Sequence, residues 1–275
     1  MIHPRSSQEP VRVLFEGRYC KLVRDLPQTI FYCPKCKGKG CARCEGYGKL
    51  TRDSVQELIA RVAMPRLRGR RNKFHGAGRE DVDVRMLGEG RPFVFEILKA
   101  KRPLVDLPEL AEEINRRSEG RIRVHGLQYC GRRRVVEIKE TRCPKDYQAR
   151  IEIVEESGPR EVEQRLQAVR QRGRITLLQA TPRRVAHRRA DLERKRWLEL
   201  IDFQKVERAG GREGWDVTLR SAHGTYIKEA ISGEEGRTKP SFSDLLGIRC
   251  RCVQLDVMAI LPPEPEEAVS PSSKE

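Results

Sequence analysis

Phe74-His75-Gly76-Ala77-Gly78-Arg79-Glu80-Asp81-Val82-Asp83-Val84-Arg85-Met86-Leu87-Gly88, with Gly90-Arg91-Pro92-Phe93 close behind, is the densest group of chemically capable residues in this 275-residue chain. A glycine-rich approach runs into interleaved acidic, apolar and basic positions. With the period of two that a strand imposes, Asp81, Asp83 and Arg85 share one face, and Val82, Val84 and Met86 the other. One face suits a core and the other is ionic. Gly88-Glu89-Gly90 then reads as the turn of a hairpin returning through Phe93-Val94-Phe95-Glu96-Ile97. The plain alternative is a solvated loop whose Asp83–Arg85 salt bridges contribute little. Against it, the glycines let a bulky ligand come close to the backbone.

Outward from this segment, helices and strands alternate. Thr51-Arg52-Asp53-Ser54 caps a helix with Val55, Leu58, Ile59, Val62 and Ala63 at helical spacing, and a basic loop, Arg66 to Lys73, follows. Asp106 and Pro108 open a second helix through Leu110 and Ile114, closed by Gly120. Strands are expected over Val11 to Phe15, Arg121 to Tyr129, Arg134 to Ile138, Tyr147 to Val154, Arg174 to Ala180, Trp215 to Arg220 and Ile248 to Met258. Further helices are expected from Pro159 through Val169 and from Gly224 to Ile231. The pattern predicts an α+β fold with one large mixed or antiparallel sheet flanked by helices. Residues 1–50 read as a small separate module, 51–260 as the main domain, and 261–275 as a disordered Pro/Glu/Ser-rich tail.

Within the first module, Cys33-Pro34-Lys35-Cys36-Lys37-Gly38-Lys39-Gly40 is followed at once by Cys41-Ala42-Arg43-Cys44-Glu45-Gly46-Tyr47-Gly48, an eight-residue unit used twice. Two such knuckles aim four thiolates at one centre, which suits tetrahedral zinc. Cys33, Cys36, Cys41 and Cys44 leave no open coordination position, so the zinc is expected to be structural. A redox role for a Cys-x-x-Cys pair is the weaker reading. The units resemble the cysteine-rich repeats of DnaJ-type chaperones, but a single pair without a J-domain pattern does not support that function. Cys20 reads as a buried small residue or an accessory thiol, and Cys250 and Cys252 as structural. Nine cysteines, four of them clustered, suit a reducing compartment.

Lys and Arg number 56 against 40 Asp and Glu, a net charge of +16, and this field favours polyanions. The cations cluster at Arg66, Arg68, Arg70, Arg71 and Lys73, at Arg132 to Arg134, and at Arg183, Arg184, Arg188, Arg189, Arg194, Lys195 and Arg196. Clustering favours a nucleic-acid partner over a merely solvated basic surface. No apolar run approaches the roughly 20 residues of a membrane span, and no hydrophobic leader opens the chain. A soluble, cytoplasmic protein without a membrane partner is expected.

The aspartate segment resembles the catalytic motif of the archaeal and eukaryotic Pus-ten type tRNA pseudouridine synthases, which carry a Gly-Arg-Glu-Asp-Val/Ile-Asp-Val-Arg run and then Gly-Arg-Pro-Phe. Three further blocks resemble that family in order: Lys145-Asp146-Tyr147-Gln148-Ala149, then Gly224-Thr225-Tyr226-Ile227-Lys228-Glu229, then Gly236-Arg237-Thr238-Lys239-Pro240-Ser241 leading to Leu245-Leu246-Gly247. Gly17-Arg18-Tyr19 and Leu26-Pro27-Gln28-Thr29 resemble, more loosely, the segment preceding this domain. The resemblance implies conversion of uridine to pseudouridine in the tRNA T-loop, at uridine 54, 55 or both, with no cofactor for the reaction. It makes Asp81 the catalytic carboxylate, acting either covalently or as a base at the sugar, with Asp83 as its rival. By the same resemblance Tyr147 stacks on the flipped uracil, Lys228 pairs with Asp81, Tyr226 contacts the substrate, Arg79 reaches into the tRNA, and Leu245, or else Leu246, closes the apolar side of the pocket.

Family members of this type carry a further N-terminal region with a THUMP-type RNA-binding domain, which this chain is too short to hold in full. Either the zinc module and basic surface substitute for it or a separate chain supplies it. The competing reading is a non-catalytic RNA-binding or assembly factor with a structural zinc module.

Overall fold

The computed structural model describes residues 11–155, 157–186, 189–207 and 213–264. They fall into two compact units that divide between Glu140 and Thr141. Arg188 and the tail from 265 onward lie outside the described residues.

The first unit is built on long antiparallel strands. β1 (Val11–Lys21) lies between β3 (Arg85–Ala100) and β4 (Ile122–Tyr129), and β2 (Arg71–Gly76) also pairs with β3. Phe15 faces Phe95 across the β1–β3 ladder, and their rings stack at 5.4 Å. On this face, α1 (Val55–Leu67) and α2 (Leu107–Arg117) deliver Val55, Leu58, Ile59, Leu110 and Ile114 to a core shared with Val13, Phe15, Phe93 and Ile97. Each fully buried side chain of this size contributes about 1.5–3 kcal/mol. Both helices start as the sequence indicates: Ser54 accepts from the Glu57 N–H, and Asp106 from the Glu109 N–H. α1 runs on to Leu67 and β2 begins at Arg71, so the basic loop is shorter than expected.

Two expectations fail in this unit. Residues 81–86 and 93–97 do not form a hairpin: β3 is one strand from Arg85 through Met86 and residues 93–97, and Phe93 to Ile97 pair with β1 and β2. Gly88 to Gly90 bulge out of the strand, with Tyr19 opposite Arg91 but Lys21 opposite Met86. Gly90 has φ +71°, and a side chain there would meet the Tyr19 carbonyl oxygen at 2.5 Å. Residues 133–140 form helix α3 (Arg133–Glu140) rather than a strand. Its Arg133–Glu137 and Arg134–Glu137 pairs need helical spacing, and its Ile138 joins Leu14 and Val94 on the sheet face opposite α1 and α2.

The second unit is a six-stranded antiparallel sheet in the order β10 (Cys250–Ile260), β5 (Lys145–Ile153), β8 (Glu213–Ser221), β7 (Arg194–Glu207), β6 (Ile175–Gln179), β9 (Thr238–Lys239). Tyr147, Ala149 and Ile151 alternate inward on β5, matched by Trp215, Val217 and Leu219 on β8. Between them stand the charged partners Asp146–Arg220 and Arg150–Asp216, each directly opposite in register and joined by two hydrogen bonds of 2.7–2.9 Å. α4 (Pro159–Gln171) packs on β7 and α7 (Phe242–Leu246), and α6 (Ile227–Ser232) on β10. The short helix α5 (Arg183–Ala186) links β6 to β7. β7 was unforeseen because its opening Arg194-Lys195-Arg196 reads as surface, although Leu198 and Leu200 are buried. Among the described residues no helix is long and apolar enough to cross a membrane.

Candidate active site and metal centre

Asp81 does not stand on a strand. It opens a turn closed by a 3.1 Å hydrogen bond from the Val84 N–H to the Asp81 carbonyl, and β3 begins only at Arg85. The expected alternation of faces over 81–84 is therefore broken: Val84 is buried and Val82 half-buried, while Asp81 is half-buried and Asp83 exposed. A turn lets the acidic side chains diverge where a strand would align them.

This turn is pinned through its main chain. Lys21, fully buried, donates from Nζ to the carbonyls of Asp81 at 2.9 Å, Val82 at 3.0 Å and Leu26 at 2.8 Å. Arg24 donates to the Asp83 carbonyl at 2.8 Å. One residue before Asp81, the Glu80 carboxylate accepts from Arg91 Nε at 2.8 Å and from the Tyr19 hydroxyl at 2.9 Å. Gln28 donates to that hydroxyl at 2.8 Å and to the Gly78 carbonyl at 3.0 Å, and Arg91 also donates to the Ala77 carbonyl at 2.9 Å. Burial, with the Glu80 carboxylate adding to it, pushes the Tyr19 phenol well above its usual range, so it stays a donor. Burial lowers the Lys21 ammonium to about 8, with Glu80 partly opposing the fall. The carbonyls of Ala77, Gly78, Asp81 and Val82 and the Glu80 carboxylate are thus fastened to buried polar groups. None of Lys21, Glu80, Arg91 and Gln28 was singled out for a role from the sequence. The available signals were the Gly17-Arg18-Tyr19 and Leu26-Pro27-Gln28 blocks, whose residues converge here.

Of the other residues expected at the site, Arg79 shares the Asp81 segment and is exposed. Tyr147, Tyr226, Lys228 and Leu245 belong to the second unit. Tyr147 is buried on β5, opposite Leu219 on β8 and Val257 on β10. Tyr226 precedes α6 and is gripped by its backbone: Gln179 on β6 accepts from the Tyr226 N–H at 2.8 Å and donates to its carbonyl at 3.0 Å. Lys228 follows on the first turn of α6 and is half-buried. Arg184 lies 5.8 Å from the centre of the Tyr226 ring and is ion-paired with buried Glu229. On α7, Leu246 belongs to the buried core while Leu245 is half-buried, which leaves Leu245 the more available of the two.

The four cysteines of the doubled unit converge, their Sγ atoms all within 4.8 Å of one another. Cys33–Cys41, Cys36–Cys44 and Cys41–Cys44 are separated by 3.9, 3.7 and 3.8 Å. Tetrahedral zinc with bonds of about 2.3 Å sets its sulfurs about 3.8 Å apart, so the donor set fits the metal. The two knuckles repeat in geometry as in sequence: Gly40 N–H donates to Cys36 Sγ and Gly48 N–H to Cys44 Sγ, each at 3.2 Å. Desolvation raises the Cys44 thiol, but N–H donation from Cys41 and Gly48 outweighs it and brings the group down to about 7. Cys20 is buried with its thiol toward the Gly88 carbonyl at 3.3 Å, apart from this cluster.

A family model described as Pus10, C-terminal, matches residues 14–261. The tRNA pseudouridine synthase Pus10 of Methanocaldococcus jannaschii is 44% identical over 248 residues, covering 90% of this chain and 53% of that protein. Its counterpart from Methanothermobacter marburgensis is 43% identical over 253 residues, covering 90% of this chain and 60% of the relative. The chain thus spans little more than half the length of these curated relatives. Among solved structures, the crystal structure of a Cbf5-Nop10-Gar1 complex aligns with a TM-score of 0.40 at 13% identity, over 89% of this chain and 58% of that one. With nearly its whole described length under one family model, and relatives above 40% identity, the chain belongs to the Pus10 C-terminal family.

Proposed function

We propose that this chain is a tRNA pseudouridine synthase that isomerises uridine 54, 55 or both in the T-loop, with Asp81 as its carboxylate. The reaction breaks the bond from uracil N1 to the ribose, turns the detached base and joins it through C5, which gives up its proton while N1 gains one. Nothing is oxidised or hydrolysed, so the work falls to protein groups. A carboxylate must stand at a fixed place beside an extruded nucleotide, and water must be kept out while the base is free. The observation that carries the reading is the fastening of the Asp81 turn through its main chain by Lys21, Arg24 and the Glu80–Arg91–Tyr19 network. Tyr147 and Lys228 supply the remaining catalytic groups, with aromatic stacking on an extruded base worth about 1–3 kcal/mol. Arg79, Tyr226 and Leu245 contact the RNA, and one structural zinc occupies the four cysteines. The pattern of four thiolates supports a closed, non-catalytic metal.

The test is to incubate the purified chain with an unmodified tRNA transcript and map pseudouridine at single-nucleotide resolution. Asp81→Ala should form no product while still binding the tRNA, and Asp83→Ala should retain product. Equal product from Asp81→Ala would transfer the role to Asp83.

A further inference from the structure

Half-buried arginines of the second unit generally meet carboxylates, as Arg150 meets Asp216, Arg220 meets Asp146 and Arg184 meets Glu229. Arg196 does not. Its Nε is shut off from solvent with no hydrogen-bond partner among the described residues, and Nη1 reaches only the Lys195 carbonyl, at 2.9 Å. Among the described residues, Arg194, two residues back and on the same face of β7, donates only to the Thr181 hydroxyl and the Leu192 carbonyl, both at 3.0 Å. Burial lowers the proton affinity of Arg196, and the positive charges of Arg194 and Arg142 lower it further, with Tyr226 partly opposing them. A guanidinium cannot escape such a setting by losing its proton. The guanidinium therefore keeps its charge, and its Nε keeps a donor that no described residue accepts.

The surroundings point to the anion. Gly224 is exposed, and a methyl group added there would lie 3.5 Å from Arg196 Nη2, so the missing side chain leaves the guanidinium approachable. Arg194 stands opposite Gln179 in the β6–β7 ladder, and Gln179 is the residue that grips the backbone of Tyr226. The cations thus border the turn that carries Tyr226. A guanidinium with an unmet donor beside an exposed glycine suits a tetrahedral oxyanion with more than one acceptor oxygen, which a backbone phosphate provides.

We propose that Arg196, with Arg194 beside it on β7, binds a single phosphodiester of the RNA next to the nucleotide that Tyr226 contacts. This rests on the reading of the chain as an RNA-modifying enzyme, but only on its RNA-binding half. The test therefore measures binding, with the full chain carrying Asp81→Ala to stop turnover. The probes are an unmodified tRNA transcript and a T-arm stem-loop RNA, the latter with one neutral methylphosphonate linkage placed at each loop position in turn. At one linkage, neutralisation should weaken binding about tenfold, the size of one charge-assisted hydrogen bond. Arg196→Gln should weaken binding of the unsubstituted RNA by a similar factor and make that same linkage indifferent to neutralisation. It should also reduce the slope of log Kd against log salt by about one. Arg196→Lys should restore part of the loss, and both variants should melt as the parent does. Unchanged affinity and salt slope in Arg196→Gln, additive effects at every linkage, or no measurable binding by the parent would each overturn the proposal. If the linkage effect holds but the unsubstituted enzyme makes no pseudouridine, the phosphate site stands and the catalytic reading falls.

Discussion

Lys21 places an ammonium where no solvent reaches and spends all its donors on three main-chain carbonyls. Lys21→Met preserves the length of the side chain and leaves those carbonyls without their donor, each a loss of about 1 kcal/mol or more. We expect the variant to be less stable at pH 7 by about 2 kcal/mol in urea unfolding, and to make pseudouridine at least about tenfold more slowly. Because burial brings this ammonium from 10.5 to about 8, the unfolded chain keeps a proton between those values that the folded chain releases. Stability attributable to this group therefore rises from pH 8 to 10.5, and the cost of burying the charge is present in full below pH 8. The difference in unfolding free energy between wild type and Lys21→Met should be flat below pH 8 and grow in favour of wild type above it. A difference that stays flat to pH 10.5 would show that the folded chain holds the Lys21 proton as tightly as the unfolded chain does. None of this was visible along the chain. A lysine between Cys20 and Leu22 in a strand looks like surface, and only the fold brings Leu26, Asp81 and Val82 around it.

At the scale of elements, what could be read in advance was whatever local rules decide. Ser54 and Asp106 announce their helices because a capping side chain acts within three residues. The four cysteines announce their centre because metal spacing is local as well. The strand expected over Arg134 to Ile138 is a helix: Val135, Val136 and Ile138 have strand-forming side chains, but the choice is made by charge pairs at helical spacing and by one buried residue, Ile138. The turn at 81–84 was misjudged for a different reason: alternating residue types mimic a strand, whereas its shape is imposed by Lys21 and Arg24 from another part of the chain. For the doubled cysteine element we expect about one zinc per chain by metal analysis, and none in Cys44→Ser. Chelation should lower the melting temperature of the wild type and leave that of Cys44→Ser unmoved. Zinc-free protein whose melting ignores chelator would remove the metal from the module.

Over the whole molecule, a net charge of +16 overstates what is available to a polyanion. Arg66, Arg134, Arg183 and Arg184 already meet Glu109, Glu16, Glu235 and Glu229. Arg68, Arg70, Arg71 and Arg132 remain exposed. With about six phosphates engaged, raising salt from 50 to 200 mM should weaken tRNA binding by about 10³-fold. A Kd that barely moves would argue against a surface built for a nucleic-acid backbone. The fastening of the Asp81 turn bears on the molecule's history as well as its chemistry. Because that turn is gripped by its carbonyls and by a neighbour's carboxylate, its path has anchors that do not pass through the side chain at position 81. Under the proposed function, shape and reactivity can then be inherited separately: a descendant that lost the acid would keep its fold and go on embracing the same transcript, a silent chaperone where there had been an editor.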